Sequence, residues 1–375
     1  MLSFWERESL SKYDYIIVGA GIVGCSTAYH LKKKNPKAEI CIIERGVFPS
    51  GASSKNAGFA CFGSLTELVD DRNGLSEEEQ LALVEKRWEG LQLLKSILGE
   101  NKIGFEPNGG FELIRKAELP ALEYLDYYND LLKSVFKEDV YRLEPSLIQE
   151  FGFNGNQLET IVANPFEGQI DTGKMMKSWW TICNEIGIKI ITGCEILDFE
   201  ENQDFVNLNC KSGKLSVHFQ ARKLAICTNA FAHNWFEKED INPGRGMVLI
   251  THPIKELKFK GVFHYDEGYF YFRNVGKRVL IGGGRNLDKS REDTTEFGIN
   301  SKIKSAIIND LKQLILLDQE FSIDMEWSGI MAFGKTKSPI IKKVSDKIAI
   351  GVRLGGMGVA IGTQVGQELH ELLAD

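Results

Sequence analysis

A six-residue run, Gly19-Ala20-Gly21-Ile22-Val23-Gly24, constrains the fold of this chain more than any other feature. It follows directly on Tyr15-Ile16-Ile17-Val18, a β-branched stretch suited to a strand buried on both faces. In this G-x-G-x-x-G spacing each glycine has a mechanical task. Gly19 allows the tight turn, Gly21 lets a pyrophosphate approach the backbone, and Gly24 lets the next helix pack closely on the strand. That helix, from Cys25 to about Lys34, aims its N-terminal amides and partial positive charge at the phosphate. Asn35-Pro36-Lys37 stops it, and Glu39 to Ile43 reads as a second strand. The strand leads into Glu44, 20 residues beyond Gly24, where a carboxylate can accept from both ribose hydroxyls of a nucleotide lacking a 2′-phosphate. Strand, glycine turn, helix, strand and terminal acid together predict dinucleotide binding; a glycine-rich turn with no ligand is the alternative.

Composition sets the frame around this unit. A chain of 375 residues, 43% hydrophobic and 26% charged, has ordinary globular composition and length for two connected domains or one large one. The net charge of −7, with no long block of either sign, argues against a nucleic-acid or anionic-membrane partner. Seven scattered cysteines without C-x-x-C spacing read as reduced, mostly buried thiols. Met1 to Tyr13 carries Glu6, Arg7 and Glu8 and does not resemble a signal peptide. No stretch reaches the roughly 18 apolar residues of a spanning helix, so the expected location is cytoplasmic. The six histidines have no metal-ligand spacing and no partner nucleophile motif, and no metal is expected.

Two further segments favour a flavin over a nicotinamide. Arg45 follows the acid, and Gly51-Ala52-Ser53-Ser54-Lys55-Asn56-Ala57-Gly58 is small and polar enough to lie against a pyrophosphate and a flat ring. Near the C-terminus Lys347 to Gly351 reads as a strand, followed by Arg353-Leu354-Gly355-Gly356-Met357-Gly358-Val359 and an amphipathic helix from Ala360 to about Leu373. A helix N-terminus placed there stabilises the negative charge of a reduced flavin at its N1–C2=O side; an unrelated strand–helix turn is the alternative.

These residues, with Ala225 to Ala230 (Thr228 and Asn229 in its turn) and Trp327-Ser328-Gly329, resemble the D-amino-acid oxidase-like flavoenzymes over nearly the whole chain. That group includes glycine oxidase, sarcosine oxidase and γ-glutamylputrescine oxidase. The resemblance implies an α/β fold: a doubly wound, Rossmann-type FAD-binding domain interleaved with an α+β substrate domain on a mixed sheet. The expected division is 1–75, 150–245 and 330–375 for FAD, with 76–149 and 246–329 for substrate. It also implies FAD as cofactor and hydride transfer to flavin N5 from a C–H beside nitrogen. The imine hydrolyses in water, and oxygen or another acceptor reoxidises the flavin. Ala57-Gly58-Phe59 and Gly358-Val359-Ala360 look most like the γ-glutamylputrescine oxidase branch.

Departures from the family pattern bear on substrate. Where glycine oxidase-like members carry a carboxylate-binding arginine this chain has Met331, and where sarcosine oxidase has a lysine it has Ala360. Met331-Ala332-Phe333-Gly334 contains no cysteine for a covalent flavin link, so FAD is expected to bind noncovalently. Cys61 is the one thiol near the cofactor loop to check.

Elsewhere, Ser76 to Glu79 has the form of a capping box, and Leu81, Val84, Trp88, Leu91, Leu94 and Leu98 form a helical stripe, either core or a cover on the flavin. Asp171 caps a second helix that Gly187 ends, and five short alternating runs follow from 188 to 227. His264 to Arg273 reads as a hairpin turning at Asp266–Gly268, with Tyr269, Tyr271 and Arg273 on one face. A tyrosine presents a flat apolar wall with a hydroxyl handle, which suits an amine; an ordinary sheet surface is the alternative. Arg353 either meets charge on the reduced flavin or the substrate, or pairs with a surface carboxylate. The function expected is oxidation of a small amine or amino acid. A flavin dehydrogenase using a quinone or carrier, and a flavin-binding sensor or scaffold without turnover, are the competing readings.

Overall fold

The computed structural model describes residues 3–374, so Met1, Leu2 and Asp375 lie outside the described residues. The glycine turn sits where a mostly parallel sheet ends. In that sheet Lys12–Val18 lies between Leu215–Ile226 and Ile40–Ile43, all parallel. Ile348–Val352 extends it beyond Leu215–Ile226, and Lys189–Ile191 beyond Ile40–Ile43. Ile340–Lys343 forms an antiparallel edge. Strand alternation divides the apolar residues between two cores. Ile17, Ile42, Ala225 and Ala349 face helices Ile22–Lys34, Thr172–Glu185 and Gly358–Ala374. Ile16, Ile43, Ile226 and Ile350 face the other way, onto Leu208, Cys210 and Phe219. This second face is covered by antiparallel strands (Glu195–Glu201 and Val206–Ser212 beside Leu215–Ile226) rather than by helices. The predicted runs at 214–219 and 222–227 form one strand.

The second sheet is mixed, as predicted. Its order is Ile323–Phe333, Asn242–Thr251, Arg278–Gly283, Phe270–Val275, Val262–Tyr265, Gly110–Ile114, Thr160–Asn164 and Arg142–Leu143. Only the Val262–Tyr265 and Gly110–Ile114 pair is parallel. One face packs Phe263, Phe270, Phe272, Leu249 and Ile281 against helix Ser301–Asp310. Phe263 and Phe272 stack with centroids 4.6 Å apart, a pairing worth about 0.5–1.5 kcal/mol beyond area burial. Val248, Leu280 and Tyr271 project from the opposite face, towards Ala57 and Phe59 of the cofactor loop.

The layers divide differently from the sequence boundaries. Thr160–Asn164, assigned to the FAD unit, pairs with Gly110–Ile114 in the second sheet. Helix Glu77–Leu98, assigned to the substrate unit, places Leu83, Leu91, Leu94 and Leu98 in the dinucleotide core beside the C-terminal helix. Its predicted Ser76 capping box is formed. The two helices touch where Gly90 lies on the Ala360 carbonyl, and a Cβ at Gly90 would overlap that oxygen. Backbone contact of this kind links residues 270 positions apart, and no local pattern announces it. No helix among the described residues is long and apolar enough to cross a membrane.

The Gly90 contact gives the first prediction. Gly90→Val forces the two helices apart and lowers stability by about 1–3 kcal/mol in denaturant unfolding. Gly74→Ala, where a new Cβ meets nothing within 4 Å, leaves the midpoint unchanged.

Candidate functional site

Between the two sheets lies a cavity of about 930 Å³, at the upper end of the roughly 300–1,000 Å³ of ligand clefts. One end is the glycine turn. A Cβ at Gly24 would overlap the Gly19 carbonyl, and Gly19 itself, at φ 103°, lies against the Cys227 carbonyl. The buried Glu44 carboxylate ties this turn to the next loop. Oε2 accepts the Ala20 amide at 3.1 Å. Oε1 accepts the amides of Gly46 and Ser50 and the Ser50 hydroxyl. Three donors saturate Oε1, so only Oε2 keeps a free lone pair for a ribose hydroxyl. That leaves room for one of the two expected ribose bonds.

Most predicted cofactor residues line this cavity. Gly19, Gly21, Ile22, Val23, Glu44, Arg45, Gly51, Ala52, Ser53, Asn56 and Ala57 do so from the first unit. Thr228, Asn229, Gly355, Gly356, Met357, Gly358 and Val359 do so from the other two segments. Ala20, Gly24 and Gly58 do not; they shape the loops behind it. Gly58, at φ 75°, donates its amide to Asn56 Oδ1, which also accepts from Thr172 Oγ1. Ser53 Oγ accepts the Ile22 amide at 3.0 Å, and Arg45 lies 3.7 Å over the Phe231 ring. Thr228 Oγ1 is buried with no protein partner among the described residues, on the cavity wall. An orphan hydroxyl beside a cradle of small residues fits a bound dinucleotide.

The other end is aromatic. Tyr269, Tyr271 and Phe59 line it, with Phe59 edge-on to both Tyr271 and His264. Burial raises the Tyr271 phenol to about 12, so it stays protonated at neutral pH. Arg273, on the same face, turns instead to the cofactor loop and donates to the carbonyls of Ala57 and Ile170. Arg353 does not line the cavity. Its guanidinium is held by Asp240, Ser338 and Thr336, the surface-carboxylate alternative, while its left-handed backbone (φ 64°) donates its amide to Asn229 Oδ1. Its side chain is thus committed to pinning the 334–340 segment.

Several cavity residues had no sequence signal. His264 is 8% exposed, and burial, partly offset by Glu67, lowers its pKa and favours the neutral imidazole. Its Nε2 is 3.6 Å from the Cys61 Sγ and 4.0 Å from Glu167 Oε2. Although no metal was expected, these three residues bring ligand-type atoms within 4.8 Å of one another. Burial raises the Cys61 thiol well above its usual range and the Glu167 carboxyl to about 8. Glu67 also lines the cavity; burial pushes its pKa up, but Lys337, His264, the Ser64 amide and Arg87 together hold it low. Cys61 and His264 are 203 positions apart, and only folding reveals such a pairing.

Sheet, glycine cradle and aromatic wall define a dinucleotide-dependent oxidoreductase. The chain belongs to the DAO family, FAD dependent oxidoreductase, whose profile matches residues 14–372. It is 24% identical over 351 residues to a mitochondrial L-2-hydroxyglutarate dehydrogenase of Caenorhabditis elegans, covering 88% of this chain and 76% of that one. It is 20% identical to the glycine oxidase of Bacillus licheniformis, covering 96% and 93%. The structure is similar to glycine oxidase from Geobacillus kaustophilus, with a TM-score of 0.78 at 16% identity over 96% and 94% of the chains. L-proline dehydrogenase from P. horikoshii gives 0.76 at 17% identity over 96% and 93%. FAD is the cofactor that the family implies, and the cradle above fits it.

Glu167 gives a prediction with a definite sign. Its folded pKa of about 8 exceeds the ordinary 4.5, so the native state holds a proton that the unfolded chain loses. Its stabilising effect is complete below about pH 4.5 and is lost as pH rises through about 8. Glu167→Gln removes that titration, and stability measured from pH 5 to pH 8 falls less steeply than in the wild type.

Proposed function

We propose that this protein oxidises a carbon–nitrogen bond in a small amine or amino acid, using noncovalent FAD. The observation that carries the reading is the continuity of one cavity from the glycine cradle to the wall of Phe59, Tyr269, Tyr271 and His264. FAD held by Gly19 to Val23, Gly51 to Ala57, Thr228 and Gly355 to Val359 would supply a hydride acceptor for the C–H beside nitrogen, and the imine product would hydrolyse in water.

The protein's part is positioning and proton control. Tyr271 and Phe59, packed edge to face, form an apolar corner that orients the reacting carbon and excludes water, while the Tyr271 hydroxyl offers one donor. An amine must be neutral to release hydride, and a His264 kept neutral by burial adds no positive charge to the wall it faces. Arg353 has no direct role. The Gly358–Ala374 helix starts at the cavity, where its positive end would favour negative charge on a bound group.

A second reading rests on the L-2-hydroxyglutarate dehydrogenases among the relatives: the same cavity would oxidise a carbon–oxygen bond in a 2-hydroxy acid. Both chemistries remove hydride from a carbon bearing a heteroatom. Adding D-amino acids, N-methyl amino acids, glycine, polyamine derivatives and L-2-hydroxyglutarate to anaerobic protein separates them. Bleaching of the flavin band by an amine and not by the hydroxy acid is the expected result; the reverse would establish the second reading. Rapid recolouring on admitting air identifies oxygen as acceptor, and slow recolouring a quinone or carrier.

Tyr271→Phe lowers kcat/KM by about 3- to 10-fold, the effect of one neutral hydrogen bond. Acid precipitation leaves the yellow colour in the supernatant if the cofactor is noncovalent.

A further inference from the structure

Arg285 comes one residue, Gly284, after the strand that backs the two tyrosines. Gly282 pairs with Tyr271, and the Gly284 amide donates to the Tyr269 carbonyl at 2.8 Å. This brings Arg285 to the aromatic end of the cavity, which it lines with Lys289 four residues later and Asp293. Its guanidinium lies 4.5 Å over the Phe333 ring. The space it occupies exists because Gly244 has no side chain, since a Cβ there would come within 2.8 Å of Arg285 Nε. The side chain is only 14% exposed, and among the described residues its sole hydrogen-bonding partner is the Asp293 carboxylate. Nε is buried with no partner. A guanidinium has five N–H donors, so most of its capacity is unused.

The other cations near the cavity are committed elsewhere. Arg45 stacks on Phe231 and donates to Ser50 at the nucleotide end. Lys337 is paired with the buried Asp71, and Lys55 lies near the Phe297 ring. Arg245 is turned to Glu292, on the other face of its strand. Arg285 is the guanidinium that brings unused donors to the aromatic end of the cavity, whereas Arg45 lies at the nucleotide end.

We propose that Arg285, seconded by Lys289, is the subsite for the substrate's carboxylate, so that the substrate is an amino acid rather than a simple amine. The proposal deepens the amine-oxidation reading and rests on it for the chemistry at the carbon. A carboxylate meeting Arg285 is recognised by charge-assisted N–H···O bonds, against an apolar floor of Phe333 and Met331. Asp293 competes for the same guanidinium and limits anion affinity.

Binding to the oxidised holoenzyme tests this without turnover. Acetate and propionate, titrated against the flavin absorbance, are expected to bind better than acetamide and propionamide. Arg285→Gln weakens the carboxylates by about 10- to 100-fold and leaves the amides unchanged. Asp293→Asn tightens the carboxylates, which a merely structural ion pair would not do. Equal carboxylate affinity in wild type and Arg285→Gln, or an equal loss for the amides, overturns the proposal. If Arg285→Gln fails to retain flavin, Asp293→Asn decides: unchanged or weaker acetate binding overturns it. If no amine, amino acid or hydroxy acid bleaches the flavin, the oxidation reading fails while these titrations still judge the subsite.

Discussion

The rest of the site depends on one buried carboxylate. Glu44 closes the second strand of the parallel sheet and accepts hydrogen bonds from the glycine turn on one side and the Gly46–Ser50 loop on the other. A buried charge is tolerable only when hydrogen-bonded, and here backbone amides and one hydroxyl supply the bonds. Holding both loops at once fixes where a nucleotide lies and where Gly51 to Ala57 begins. Through Ala57, whose carbonyl binds Arg273, the same chain of contacts reaches the second sheet and its tyrosines.

This link explains why the two sheets make one site. The faces of the second sheet are chemically unlike: phenylalanines pack on a helix behind it, while Val248, Tyr271 and His264 line the cavity. Strand alternation alone produces the division. The cofactor segments approach from the first sheet, and the reacting carbon would sit between them and the aromatic wall.

The sequence-legible part was the part written in local spacing. Gly19 to Gly24, Glu44, the Ser76 and Asp171 caps, the hairpin at Asp266–Gly268 and the strand–glycine–helix at Gly355 to Val359 each carry their geometry within a few residues. What escaped depends on distant partners. Gly90 meets Ala360, Cys61 meets His264, and Thr160–Asn164 joins a sheet whose other members lie mostly downstream. Arg285 and Arg353 illustrate the limit most clearly. Both are arginines just after a strand and within two residues of a glycine, yet one reaches the cavity because Gly244 leaves room and the other is drawn away by Asp240.

On the proposed function the bond oxidised is carbon–nitrogen. Product stoichiometry under single turnover tests it most directly, using the substrate that bleaches the flavin. One oxo product and one released amine or ammonia are expected for each flavin reduced, with a primary isotope effect when the hydrogen on the carbon beside nitrogen is deuterium. Flavin reduction that yields an oxo product without any released amine would contradict it.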